Sequence, residues 1–210
     1  MTLSSPPTDS ATVTRLPTEA RQAEIIAAAL RLAQDRSPGA ITTADLAAAV
    51  GLSQGALFKH FNSKDAVWLG AIGWVSEHLL ARLASAAQAS TGPVNALQAM
   101  FDAHVDFCIL YPGVPRLIFH GLQRPTDSAI KQQVREMLQT YRQRLLDLMQ
   151  AAIKAGEVAP ELDVPAAATL FMGLIQGLVM QSMLSGQVAH MAVNGPGAFQ
   201  LFLRAIAHPL

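Results

Sequence analysis

Lys59, His60 and Lys64 crowd the end of one short run, GLSQGALFKHFNSKDAV, at positions 51–67. The one carboxylate in the run, Asp65, reads as a first-turn helix residue and not as a partner for proton transfer. The chemistry they offer is anion binding, with an ammonium or imidazole against a phosphate. Gln54, at the other end of the run, carries an amide that can bond a base edge, and Lys59 can reach a guanine or a phosphate. Gly55 and Ala56 between them are small enough to let a helix sink into a major groove.

This patch stands in a chain whose charges cancel. The 210 residues hold 15 Lys plus Arg and 15 Asp plus Glu, so any contact with a polyanion must be local. Only 14% of residues are charged and 51% are apolar, which predicts extensive burial, in part against a second copy. The single cysteine, Cys108, excludes an internal disulfide framework and suits a reducing, cytoplasmic setting. Residues 1–17, rich in Ser, Thr and Pro, read as a flexible tail with no signal-peptide core. Val164 to Leu203 contains no Asp, Glu, Lys or Arg. Thr169, Gln176, Gln181 and Ser182 interrupt its apolar part and no basic cluster flanks it closely. It is therefore expected to be a helix buried on nearly all sides, not a membrane span.

The elements that must position the patch are all helical, with no sustained alternation of strand type. Thr18 to Arg36 carries a helical stripe and ends at Ser37-Pro38-Gly39. Thr42 caps a short helix, 43–50, with Asp45 placed to complete a capping box. Gly51 supplies a left-handed stop, and Ser53 caps the next helix, Gln54 to Phe61. Ser63 caps a long helix through about Gln88. Further helices are expected at Val94–Leu110, Val114–Leu122, Asp127–Gly156, from about Pro165, and from Pro196 to Ala207.

Two short helices joined by a glycine turn make a helix-turn-helix. The run TTADLAAAVGLSQGALFKHFNSKDAV, Thr42 to Val67, resembles the DNA-binding signature of TetR-family transcriptional repressors. Leu46, Ala47, Gly51, Leu52, Ser53, Gly55, Leu57, His60, Phe61, Ser63, Lys64 and Asp65 fall on that signature in register. The resemblance implies DNA contacts from Thr42, Thr43, Ser53, Gln54, Gly55, Ala56, Phe58, Lys59, His60 and Lys64. Arg15 and Arg21 are further candidates for phosphates. Phe58 departs from the Tyr usual in the family, so a phosphate-bonding hydroxyl is missing there. Ser37-Pro38 replaces the usual glycine and changes only a cap.

The resemblance also implies an effector pocket in the C-terminal helices. Candidates for its wall are Trp74, His78, Phe101, His104, Cys108, Phe119, His120, Tyr141, Met172 and Gln176. Such a lining suits a small apolar or aromatic effector with a few polar anchors. The helix around Ala166–Leu184 is apolar all round, and Gly173 and Gly177 allow close helix approach. With the last helix it predicts a two-fold four-helix interface through Leu170, Gly173, Leu174, Gly177, Leu178, Phe199, Phe202 and Ile206.

The expected molecule is thus all-α. A flexible tail (1–17) precedes a helix-turn-helix domain (18–79, motif 42–61). A long helix joins it to a helical effector-binding and dimerisation domain (80–210). Its expected partners are double-stranded operator DNA, a small effector and a second copy, with no membrane, metal or cofactor. The alternative is a helical small-molecule-binding protein or enzyme without DNA binding. No metal-spaced histidine pair, phosphate loop or nucleophile elbow supports an enzyme. A site built from His78, His104 and His120 would need three helices to converge.

Overall fold

The computed structural model describes residues 18–124 and 128–207, and among them every regular element is an α-helix. The tail at 1–17 with Arg15, and the expected helix start at Asp127, lie outside the described residues. The order is α1 (Thr18–Asp35), α2 (Thr43–Ala48), α3 (Gln54–Leu57), α4 (Lys64–Gln88), α5 (Pro93–Leu110), α6 (Gly113–Leu122), α7 (Ala129–Lys154), α8 (Val164–Ser185) and α9 (His190–Ile206). Helix α4 runs unbroken past position 79, so the long rod carries the chain from one half to the other.

Local chemistry sets the starts. The Thr42 hydroxyl accepts from Asp45 N–H while the Asp45 carboxylate accepts from Thr42 N–H, closing the capping box. Ser53, Ser63 and Ser128 cap α3, α4 and α7 with the hydroxyl alone, each accepting from the N–H three residues on, and the Asp163 carboxylate caps α8. Gly51, at φ +66°, turns the chain so that Leu52 N–H reaches Ala47 O at 2.8 Å. Helix α5 has no side-chain cap of its own. Pro93 has no N–H, and the first donor of the helix, Val94 N–H, bonds the Glu157 carboxylate at 2.8 Å, a long-range cap that no local pattern announces.

Two bounds differ from expectation. The regular part of α3 stops at Leu57, because Lys59 and His60 N–H bond three residues back and tighten the last turn. Helix α9 begins at His190 and carries Pro196 inside it. Its first turns are held by burial of Met191 and Gly195, and Gly195 lies against Phe101 and Val105 of α5.

The core runs continuously from the small N-terminal helices into the larger half. Ile25, Ile41, Leu46, Leu57 and Trp68 are fully buried at one end. At the other, Phe101, Tyr141, Phe171, Phe199 and Phe202 form an aromatic cluster, with Phe171 edge-on to the other four. This cluster corrects three expected interface residues. Phe199, Phe202 and Ile206 point into their own chain and leave no surface for a partner. Helix α9 is apolar on two sides, and these three took the inner one. Phe101, expected at the effector pocket, belongs to the same cluster. Helix α8 is corrected too, being buried along one face and not all round. Phe171, Ile175 and Val179 face the core, whereas Leu170, Gly173, Gly177 and Leu184 lie exposed. Leu174 and Leu178 are half-buried between the two faces.

Candidate nucleic-acid interface and interior cavity

Helix α2 packs on α1 and on α3. Leu46, Ala47 and Leu57 are buried, which leaves the other side of α3 outward. Ser53, Gln54, Gly55, Phe58 and Lys59 are exposed there, with Thr42 beside them. Thr43, Ala56 and His60 are half-buried at the edge. Phe58 is 43% exposed. The His60 carbonyl accepts from Gln22 Nε2 at 2.9 Å, which pins the end of α3 to α1. Arg21 is paired with Glu24 one turn on.

Gly55 is informative because the fold does not need it. Its φ is not positive, and a Cβ built there would meet nothing within 4 Å. A glycine inside a helix costs roughly 0.5–1 kcal/mol relative to alanine. Nothing among the described residues offsets that cost.

Lys64 has a second task besides the expected phosphate contact. Its Nζ donates to Gly39 O at 3.0 Å and Ile41 O at 2.9 Å, so two of its three donors hold the loop between α1 and α2. Arg36 fastens the same loop, donating to Ala40 O and pairing with Asp45 at 2.9 Å. The Arg36 guanidinium and the Thr42 donors hold the Asp45 carboxyl far below the usual carboxylate range. The recognition surface is therefore braced on a loop whose Gly39, Ala40 and Ile41 carbonyls are all engaged from one side or the other.

In the larger half a cavity of about 100 Å³ lies between α4, α5, α6, α7 and α8. His104, Cys108, Phe119, Tyr141, Met172 and Gln176, all expected there, line it. The rest of its wall is aliphatic or aromatic, from Val75, Val114, Ile118, Leu122 and Met137 among others. His104 Nδ1 and the Tyr141 hydroxyl lie 3.2 Å apart, a part-buried polar pair in an apolar wall. Burial pushes the His104 imidazole down to about 4 and the Cys108 thiol up to about 12, so both are neutral near pH 7. Among the described residues, Asp, Glu, Lys and Arg are absent from the lining.

The other expected pocket residues lie elsewhere, as corrections to what the sequence suggested. Trp74 stacks on His78 at 4.0 Å and meets Tyr111 edge-on, outside the cavity. The exposed His78 ring bonds Trp74 O. His120 lies near Gly39, beside Lys64, Asp65 and Arg124. His78, His104 and His120 thus go three separate ways, and no cluster of three metal-ligating side chains occurs among the described residues.

Two contacts that no sequence pattern marked join the cavity wall to the N-terminal helices. Arg124, just past α6, pairs with Asp65 in the first turn of α4. Gly113, at the start of α6, packs backbone to backbone on α1, where a Cβ would collide with the Leu30 carbonyl oxygen.

Known proteins resemble the chain in both halves. Residues 25–69 match the family described as bacterial regulatory proteins, tetR family, and residues 125–194 match a tetracyclin repressor-like C-terminal domain. The nucleoid occlusion factor SlmA of Idiomarina loihiensis is 30% identical over 139 residues, covering 59% of this chain and 71% of that protein. Among solved structures, the fatty acid degradation regulator FadR from Bacillus halodurans superposes with a TM-score of 0.79 at 17% identity, covering 93% of this chain and 100% of that one. The regulator FadR from Bacillus subtilis, in complex with stearoyl-CoA, superposes at 0.75 with 18% identity, covering 88% and 98%. With the signature of Thr42 to Val67 placed on an outward helix-turn-helix and both halves matched, the chain belongs to the tetR family of DNA-binding bacterial transcriptional regulators.

Proposed function

We propose that the chain is a cytoplasmic repressor that binds a two-fold operator as a homodimer and leaves it when a small neutral molecule fills the interior cavity. The observation that carries the DNA face is Gly55, a helical glycine that nothing in its described surroundings requires. A groove floor is the surface that would meet it. Gln54 reads bases, Lys59 and the free N–H groups of the capped turns hold phosphates, and Phe58 packs on sugar or a thymine methyl.

The same reasoning supports the dimer. Gly173, Gly177 and Gly197 are exposed and helical, and a Cβ on any of them would meet nothing within 4 Å among the described residues. Around them stand Leu184, Val193 and Leu201, exposed at 75%, 74% and 65%. An apolar face with helical glycines suits a second copy of itself, and a two-fold through α8 and α9 sets the α3 helices about 34–36 Å apart, one DNA turn.

The effector is uncharged, because the described wall residues hold no counter-ion, and small, because the space is about 100 Å³. Stearoyl-CoA, in complex with the Bacillus subtilis protein, exceeds a space of about 100 Å³. The His104–Tyr141 pair offers one hydrogen-bonding anchor. Filling the cavity presses on α6, and the Arg124–Asp65 and Gly113–Leu30 contacts carry that displacement to α4 and α1. The test is anisotropy of a labelled palindrome against salt. The wild type binds with a steep salt slope, and Gln54→Ala relaxes base preference at about 1–3 kcal/mol per contact. Salt-independent or absent binding would end this reading.

A further inference from the structure

A groove of about 280 Å³ opens where α1 meets the corner between α5 and α6. It shares no lining residue with the interior cavity. Its floor is formed by the small side chains Ala23 and Ala27, and its walls include Trp74 and Tyr111. The two rings meet edge to face, 5.0 Å between centroids. Trp74 is held in place from its other side by His78, stacked at 4.0 Å, so the aromatic wall is already fixed.

Arg31 stands at the lip, exposed. It has no ion pair or hydrogen bond among the described residues, whereas Arg36, Arg116, Arg124 and Arg144 are each engaged. Asp and Glu are absent from the described lining. The groove therefore joins a flat apolar slot to one uncompensated guanidinium, the residue best shaped for a carboxylate.

We propose that this groove is a second ligand site, for a small aromatic monocarboxylate. The ring lies over the alanine floor against Trp74 and Tyr111, and the carboxylate accepts two N–H bonds from Arg31. A bound ligand would touch α1, α4 and the α5–α6 corner together. It would therefore fix the N-terminal helices against the larger half, independently of whatever occupies the interior cavity.

The probe is 2-naphthoate, titrated into the full-length protein by calorimetry, with 2-naphthamide as the uncharged control. One site per chain is expected for naphthoate. Arg31→Gln should weaken it roughly tenfold or more, in line with loss of a charge-assisted pair, and leave naphthamide binding unchanged. Ala27→Phe, at an exposed position, fills the slot and should abolish naphthoate binding. Tyr141→Phe, in the interior cavity, should leave naphthoate binding as it is. Absence of saturable binding by the wild type overturns the proposal. So does naphthoate binding that survives Ala27→Phe or that responds to Tyr141→Phe instead of Arg31→Gln.

Discussion

The Arg124 guanidinium clasps the Asp65 carboxylate through two parallel hydrogen bonds, 2.8 and 2.9 Å, joining the end of the cavity wall to the first turn of the rod that carries the DNA-binding helices. The fork-to-fork geometry makes this the surface pair best placed to contribute. A double-mutant cycle of Arg124→Ala and Asp65→Ala should give a coupling of about 0.5–1 kcal/mol, the upper range for exposed pairs. The coupling should shrink in molar salt. Arg124 holds Asp65 below the usual carboxylate range, so the contribution is present above that range and lost as pH falls through the lowered value. A coupling that persists in molar salt would mean that the two side chains act through packing.

Gly55→Ala should move stability and binding in opposite directions. The fold gains about 0.5–1 kcal/mol of helix propensity, with open space for the methyl. Operator affinity should fall about tenfold or more, roughly 1.4 kcal/mol, if the glycine faces the groove floor. Melting curves and anisotropy on the same sample decide it. Unchanged affinity would take Gly55 off the interface.

Leu201 and Phe202 are neighbours that face opposite ways, so a glutamate at each should have different consequences. Phe202→Glu buries a charge in the aromatic cluster and should prevent folding. Leu201→Glu changes an exposed residue and should give a folded, soluble monomer by sedimentation, with operator binding much weakened. A Leu201→Glu dimer of full affinity would place the interface elsewhere.

Stability should fall on mild acidification. His104 is held to about 4 inside and titrates near 6.5 when unfolded, so in that window the unfolded chain binds a proton that the folded one does not. His120 acts in the same direction, lowered chiefly by burial and further by Arg124 and Lys64. Each tenfold change in a proton affinity corresponds to about 1.4 kcal/mol, so the loss from His104 amounts to a few kcal/mol. His104→Gln should remove most of the slope in urea titrations between about pH 6.5 and pH 4. Below that window Asp45 and Asp65, both held low by their partners, take over the pH dependence.

What was legible in the sequence follows the range of the forces involved. Caps act within four residues, so Thr42, Ser53, Ser63 and Gly51 announced the helix-turn-helix, and with it the outward residues proposed to meet DNA. Glu157 on Val94 and Arg124 on Asp65 are contacts between distant segments, and no local pattern reveals them. Periodicity shows that a helix has an apolar face but cannot rank two such faces. On α9 it therefore could not tell Phe199, Phe202 and Ile206 from Val193 and Leu201. Side-chain type alone suggested the pocket residues, and the six that line the cavity differ from Trp74 or Phe101 only in the direction they take from their helices.

The Gly113–Leu30 contact makes the junction a joint without backlash. Ordinary helix pairs meet through side chains, which can rotate and absorb a fraction of an ångström before the backbone moves. At Gly113 itself no side chain lies between α6 and the backbone of α1. The α1 end leads straight into the loop clamped by Arg36 and Lys64, and that loop carries Thr42 and the start of α2. A shift of α6 at Gly113 therefore presses directly on the α1 backbone. Any larger residue at 113 would hold the joint permanently ajar, a substitution remote from both DNA and effector that should fix the protein in one regulatory state.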